Sequence, residues 1–290
     1  MVNQSMAALG NNRSTIRELF EYGNQRAAVV GRENVFDFSL GNPNVPAPDA
    51  VRQVILEEAA GDPIALHGYT SAQGAADVRT ALADDLNRRF GTAYTGDSLY
   101  LTVGAAAALS CAFKAVACPG DEIAVLAPYF PEYLMFIESG AGAKAVVVPP
   151  SVQDFQIDFD ALGQRLNEHT KAVVINSPNN PSGAVYSEQT IRRLAELLRE
   201  KEKQYGHPIY LISDEPYREL VYDGVQVPFV PNFYDDTIVC YSYSKSLSLP
   251  GERIGYVLVP PQAADSADLY AAVCGAGRAL GYVCAPSLFQ

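Results

Sequence analysis

Apolar, β-branched runs alternate with helical patterns along most of the chain. Seven runs have the length and composition of strands, and they cover residues 98–104, 122–128, 143–149, 171–177, 209–215, 237–243 and 253–259. Several are apolar at consecutive positions, which is typical of strands covered by helices on both faces. The alternation predicts an α/β fold with three layers, α/β/α, around a mostly parallel central sheet.

The clearest helical pattern runs from Ser187 to Gly206. Ser187 can cap the N-terminus of this helix, and Glu188 suits the positive end of its dipole. Gly206 is a typical stop signal. The positions expected to face the core are Ile191, Leu194, Leu197 and Leu198.

The N-terminal region has a different composition. A polar stretch with one predicted short helix is followed by "FDFSLGNPNVPAP", which is rich in Gly, Asn and Pro. Such a composition is typical of loops and linkers. We therefore expect an N-terminal arm with part of a small domain over residues 1–45, and a large domain over residues 46–290.

Charge and hydropathy narrow the classes of function. The net charge of −12 argues against a nucleic-acid partner. No apolar run reaches the roughly 18 residues of a transmembrane helix, and the N-terminus lacks the pattern of a secretory signal. The 5 cysteines lie in apolar contexts without a CxxC pair. These features predict a cytoplasmic protein with reduced thiols and neither a membrane nor a metal site.

Chemically useful residues follow several predicted strands. The first strand ends in "GAA", and later strands are followed by "PYFPEY", "SPNNPSG", "DEPY" and "SKSLSLPGER". Open α/β sheets bind ligands at the carboxyl ends of their strands. We therefore expect these segments to line one pocket.

Lys245 is the candidate nucleophile. It lies among small hydroxylated residues, and Arg253 follows eight positions later. Burial and a neighbouring cation both lower the pKa of a lysine, and the neutral amine forms a Schiff base with an aldehyde. The alternative is an ordinary exposed lysine at the end of a strand.

Asp214 is the candidate partner for a protonated ring nitrogen. It ends the apolar run "IYLISD", where a carboxylate is costly without a cation. Pyridoxal phosphate (PLP) requires such a partner for its ring to accept electrons. Tyr217 lies close enough in sequence to reach the same ligand. The alternative is that Asp214 caps a helix.

Further segments suit the phosphate and the ring. A strand-to-helix junction at Gly104 offers free backbone N–H groups to a phosphate, although such junctions also serve packing alone. The "NSPNNPSG" turn presents Asn176 and Asn180, whose amides can donate to a phenolate oxygen. Phe130 or Tyr129 could stack on a flat ring, or simply pack in the core.

These residues together resemble a known family, the fold-type I PLP enzymes, and within it the class I/II aminotransferases. The resemblance runs from Gly41 to about Gly255. Its motifs are "SLGNP", "HGYTSAQGAADVR", "TVGAAAAL", "PYFPEY", "NSPNNPSG", "SDEPY" and "SYSKSLSLPGERIGY". The last three motifs, in this order and spacing, are the most specific.

The resemblance implies a role for each matching residue. Lys245 would carry PLP as a Schiff base and later move the substrate proton. Asp214 would pair with the pyridine nitrogen, and Phe130 would stack on the ring. Tyr217 and Asn180 would bind the ring oxygen.

It also implies a phosphate site, a substrate site and a homodimer. Tyr69 matches a tyrosine that reaches the phosphate in the neighbouring subunit. Gly41 and Asn180 would lie near the substrate carboxylate. The phosphate would be held by Gly104, Ala105, Ala106, Ser242, Ser244 and Arg253.

The sequence departs from the family pattern after the lysine segment. Family members usually continue into a C-terminal small domain that supplies an arginine for the substrate α-carboxylate, and that part is missing here. Two interpretations follow: a partial chain of a complete enzyme, which we favour, or a truncated protein that binds PLP poorly.

The predicted function is transfer of an amino group from an L-amino acid to a 2-oxo acid through PLP bound at Lys245. Fold alone does not fix the reaction. A PLP-dependent C–S β-lyase and a non-catalytic PLP-binding protein are therefore the alternatives. The sequence does not indicate which amino acid is the donor.

Overall fold

The computed structural model describes residues 2–11 and 15–290 and divides the chain into two compact units. The first unit ends at Pro46. It contains helices α1 (Gln4–Asn11) and α2 (Thr15–Val30) and a 3₁₀ turn (Arg32–Asn34). The prediction of a single short helix in this region was therefore wrong.

The second unit, Ala47–Gln290, contains all seven strands of the described chain. The strands are β1 (Leu99–Thr102), β2 (Glu122–Leu126), β3 (Lys144–Val148), β4 (Thr170–Asn176), β5 (Tyr210–Asp214), β6 (Thr237–Ser242) and β7 (Gly255–Leu258). The α-helices are α3 (Asp49–Ala59), α4 (Pro63–His67), α5 (Ala76–Phe90), α6 (Ala105–Val116), α7 (Glu132–Met135), α8 (Phe159–Arg165), α9 (Glu188–Tyr205), α10 (Tyr243–Ser246) and α11 (Ser266–Ala279). A π-helical turn, Phe136–Ala141, continues α7, and short 3₁₀ turns cover Gly96–Ser98, Val230–Asn232 and Ser287–Phe289.

The sheet is mixed and mostly parallel, as predicted. Its strand order is β1-β7-β6-β5-β4-β2-β3. Strand β7 is the reversed one: it runs antiparallel to both β1 and β6, and the other neighbouring pairs are parallel. The predicted strand 253–259 begins later than expected, at Gly255. Arg253 has a φ of 54°, in the left-handed region, so it cannot continue an extended strand.

Helices cover the sheet on both faces. Along β4, Val174 belongs to a core shared with α6 and α11, whereas Val173 and Ile175 belong to a core shared with α8 and α9. Successive strand residues point to opposite faces, so both faces of β4 are buried. This arrangement confirms the three-layer prediction.

Helix α9 forms as its sequence predicts. The hydroxyl of Ser187 accepts a hydrogen bond from the backbone N–H of Thr190. Gly206 ends the helix with a φ of 75°, a conformation that costs glycine least. The buried side chains are those of Ile191, Leu194, Ala195 and Leu198. Of the four predicted positions only Leu197 is partly buried, packed against the same core, so the helix packs on the sheet largely through the predicted stripe.

No helix in residues 2–11 and 15–290 is long and apolar enough to cross a membrane. Over the same ranges, no group of three or more His, Cys, Asp or Glu residues could hold a metal ion.

Candidate cofactor site

Lys245 lies on a one-turn helix at the carboxyl end of β6. Ser242 ends the strand, and its hydroxyl accepts a hydrogen bond of 3.2 Å from the backbone N–H of Ser244. This cap turns the chain directly from strand to helix. Lys245 is half-buried, and burial together with the charge of Arg253 lowers the pKa of its amine. Both effects shift the amine towards its neutral, nucleophilic form.

Asp214 ends the neighbouring parallel strand β5 and is 4% exposed. Its Oδ2 accepts a hydrogen bond of 2.5 Å from the hydroxyl of Tyr133. Its Oδ1 is buried, and no group in the described part of the chain hydrogen-bonds to it. Burial raises the pKa of this carboxyl to about 7, against the opposing effect of Tyr133. The alternative role of helix cap is wrong, because residues 215–229 contain no helix.

The turn after β4 is tied to the end of β5. The side-chain amide of Asn176 donates to the carbonyl of Asp214 at 2.8 Å, and its oxygen accepts from the backbone N–H of Asn180 at 2.6 Å. The side chain of Asn180 lies close enough to Tyr217 to lower the pKa of its phenol, against the larger effect of burial. The structure thus brings Asn180 and Tyr217 together beside Asp214, with Asn176 as the residue that holds the turn in place.

A third set of residues meets where β1 passes into α6. Gly104 precedes the helix with a φ of 86°. The guanidinium of Arg253 lies so close that a Cβ on Gly104 would be 2.6 Å from Nη2. The hydroxyls of Ser242 and Ser244 are 2.7 Å apart. A positive helix end, a glycine and a guanidinium are groups that can bind an anion, and Ala105 and Ala106 are the first helical residues.

Phe130 is half-buried next to Tyr133, with ring centroids 5.7 Å apart and planes at 85°. Tyr129 also packs against the core, so the choice between Phe130 and Tyr129 as the ring-stacking residue stays open. Our sequence interpretation missed Tyr133. The signal was its position three residues after Phe130 in "PYFPEY", where a turn joins the backbone N–H of Tyr133 to the carbonyl of Phe130.

The predicted roles of Tyr69 and Gly41 involve groups outside the described chain. Tyr69 is 89% exposed, so its side chain is available to another molecule. Gly41 lies in the N-terminal unit. The contact of Tyr69 with a neighbouring subunit and that of Gly41 with the substrate remain predictions.

The described residues fit PLP. The Oδ1 of Asp214 is buried, where an unpartnered carboxylate oxygen is costly and a protonated nitrogen would satisfy it. The half-buried amine of Lys245 suits the aldehyde, and the start of α6 with Arg253 suits the phosphate.

Comparison with known proteins identifies the family of the chain. A model of the family "Aminotransferase class I and II" matches residues 33–276. A probable aspartate/prephenate aminotransferase of Thermus aquaticus is 33% identical over 244 residues, which are 82% of this chain and 60% of that protein. An aspartate aminotransferase of Streptomyces avermitilis is 31% identical over 239 residues, which are 81% of this chain and 57% of that protein.

Two solved structures are similar over the whole chain. An amino transferase from Eubacterium rectale has 62% sequence identity and a TM-score of 0.98, and the match covers 100% of this chain and 73% of that one. An aspartate aminotransferase from Thermus thermophilus with maleate has 27% identity and a TM-score of 0.82, covering 100% and 71%. This chain spans about 60% of the length of the first curated relatives. The chain belongs to the class I and II aminotransferase family.

Proposed function

We propose that the chain carries the PLP site of an aminotransferase that moves an amino group from an L-amino acid to a 2-oxo acid. The observation that carries the proposal is the open, buried Oδ1 of Asp214 at the end of the strand beside the one that leads to Lys245. A buried carboxylate oxygen without a partner is unfavourable in a purely structural role. Its position on the strand next to the one that leads to a lysine of lowered pKa supports a cofactor site.

Each side chain then has a specific task. Lys245 would hold the cofactor covalently and, when released, accept and return the substrate Cα proton at its Nζ. Asp214 would keep a proton on the ring nitrogen through Oδ1. When bound, PLP supplies a ring that accepts the electron pair from the broken Cα–H bond.

The remaining residues orient the cofactor. Tyr217 and Asn180 would hold the ring oxygen, and Phe130 would cover one face of the ring. The phosphate would be held by Gly104, Ala105, Ala106, Ser242, Ser244 and Arg253. We extend the proposal to a cytoplasmic homodimer in which Tyr69 reaches the partner's phosphate and Gly41 lies near the substrate carboxylate.

Borohydride trapping tests the cofactor assignment. The protein is mixed with PLP, reduced, digested and analysed by mass spectrometry, and we expect the added mass on Lys245. Lys245→Ala should lose both this adduct and turnover, with PLP retained only non-covalently. An adduct spread over the surface lysines, and equally strong in Lys245→Ala, would refute the assignment.

A second assay tests the reaction class. Keto-acid formation is followed with and without a 2-oxo acid acceptor. We expect formation to require the acceptor and to release no ammonia. Ammonia released without an acceptor would identify a lyase, and PLP bound without either product would identify a non-catalytic protein.

A further inference from the structure

We propose that Tyr241 is a positioning residue that couples the turn carrying Asp214 and Tyr217 to the turn carrying Lys245. The inference rests on the proposed function, since it assigns these three side chains to one cofactor. It depends on a chain of hydrogen bonds behind the site, formed by residues that the proposed function does not use.

The hydroxyl of Tyr241 joins the two turns directly. It donates to Oε2 of Glu219 at 2.9 Å, and it lies 2.9 Å from the hydroxyl of Ser246. Glu219 follows Tyr217 by two residues, and Ser246 directly follows Lys245. The Tyr241 hydroxyl therefore contacts one residue close to Tyr217 and one residue next to Lys245 in the sequence.

The direction of the hydrogen bonds follows from charge. The single proton of Tyr241 goes to the Glu219 carboxylate, the stronger acceptor, so Ser246 must donate to the phenol oxygen. Burial and the charge of Glu219 both raise the pKa of Tyr241, which keeps its hydroxyl protonated as a donor. Arg89 in α5 completes the chain by donating to Oε1 of Glu219 at 2.8 Å.

The ring of Tyr241 has little freedom to move. It is 4% exposed and stacks on Tyr256, with centroids 5.1 Å apart and planes at 22°. The ring of Tyr243 meets its edge at 5.1 Å and 78°. A hydroxyl on a ring held in this way can transmit position between its two partners, because it cannot follow one of them freely.

The turn after β5 therefore has two sides with different contacts. Asp214 and Tyr217 lie on the side of the "NSPNNPSG" turn, where Asn176 contacts Asp214 and Asn180 contacts Tyr217. Glu219 lies on the side of Tyr241. Without the Tyr241 hydroxyl, the turn keeps its contacts to Asn176 and Asn180 but loses its link to Ser246.

Tyr241→Phe is the test variant, because it keeps the ring and removes only the hydroxyl. Tyr210→Phe is the matched control. Its hydroxyl donates to the carbonyl of Ala264 at 3.2 Å, and it lies at the opposite end of β5 from Asp214. Ser246→Ala and the double variant Tyr241→Phe/Ser246→Ala complete the set.

Hydrogen exchange of the cofactor-free protein gives the first measurement. We expect Tyr241→Phe to speed amide exchange about tenfold in both segments 215–220 and 243–254, as loss of a hydrogen bond to a charged group would. Tyr210→Phe should leave both segments unchanged. The double variant should add little to the single ones, because both remove the same link.

The holoenzyme gives the second measurement. The pH midpoint of the absorbance band of PLP bound at Lys245 should shift by about half a unit or more in Tyr241→Phe and not in Tyr210→Phe. Exchange that changes in only one segment, or a midpoint that stays unchanged, would overturn the role of Tyr241. Failure of the parent protein to bind PLP at Lys245 would instead refute the proposed function, and the exchange result would still decide whether Tyr241 links the turns.

Discussion

Two consecutive carboxylates, Asp214 and Glu215, are buried to the same extent but differ in their partners. They are 4% and 2% exposed. Glu215 forms an ion pair with Arg218 and accepts a hydrogen bond from the hydroxyl of Ser213 at 2.7 Å. Asp214 has the neutral phenol of Tyr133 on one oxygen and an open second oxygen. Burial alone therefore does not indicate function; what separates the two carboxylates is the counter-charge, which Glu215 has and Asp214 has not within the described part of the chain.

The environment of Arg218 reinforces the contrast. Its guanidinium lies over the rings of Phe90 and Phe229, with distances of 4.8 and 4.7 Å to the ring centroids. Aromatic faces and a carboxylate together stabilise a buried cation. Glu215 and Arg218 thus form a structural ion pair, whereas Asp214 has no cationic partner among the described residues.

Replacing Asp214 should have the largest effect on activity. We expect Asp214→Ala to reduce turnover by about a thousandfold or more, because the proton on the ring nitrogen loses its partner. Its free energy of unfolding in the cofactor-free state should change little, since removal of the unsatisfied carboxylate offsets the loss of the acceptor for the Tyr133 hydroxyl. Steady-state kinetics and urea denaturation measure the two effects. A stability loss that accounts for all the lost activity would show that Asp214 has a structural role, as Glu215 has.

Replacing Glu215 should have the opposite signature. Glu215→Gln leaves the cation of Arg218 buried without its counter-charge, which costs on the order of 3–5 kcal/mol in the free energy of unfolding. The double variant Glu215→Gln/Arg218→Met should recover most of that loss. Urea denaturation of the parent protein, the single variant and the double variant checks this. A double variant as unstable as the single one would count against a structural ion pair between Glu215 and Arg218.

The pKa of Asp214 predicts how the stability of the cofactor-free protein depends on pH. A carboxyl whose pKa is raised from 3.8 to about 7 by folding binds its proton more tightly in the folded state. Stability from this group is therefore full below pH 4 and is lost as the pH rises to about 7, by at most about 4 kcal/mol. Asp214→Asn should flatten this part of the profile, and identical profiles for both proteins would contradict the shift.

Tyr133→Phe should have the smallest effect. It removes the hydroxyl that donates to Oδ2 of Asp214 without opening a cavity, so the carboxylate form loses about 1–2 kcal/mol of stabilisation. The pKa of Asp214 should rise by roughly one unit. Carbon-13 NMR of labelled aspartate at several pH values measures the shift, with Tyr210→Phe as the control. An unchanged midpoint would show that the phenol does not stabilise the charge.

The sequence by itself determined the layers of the fold and the candidate residues. Consecutive apolar positions in β4 predicted a sheet covered on both faces, and Ser187 and Gly206 predicted the ends of α9. These signals are local, because strand alternation, capping and a left-handed glycine depend on neighbouring residues. The motifs around Asp214 and Lys245 likewise indicated the family, because their residue types and spacing are visible in the sequence alone.

The tertiary structure alone decided which charges are paired. Nothing in the letters "DEPYR" shows that Glu215 meets Arg218 while Asp214 keeps an open oxygen. Tyr133 and Tyr241 come from distant segments, at sequence separations of 81 and 22 from their carboxylate partners. Such contacts depend on how strands and turns pack in three dimensions, and this packing fixes the solvation and the charge of each group.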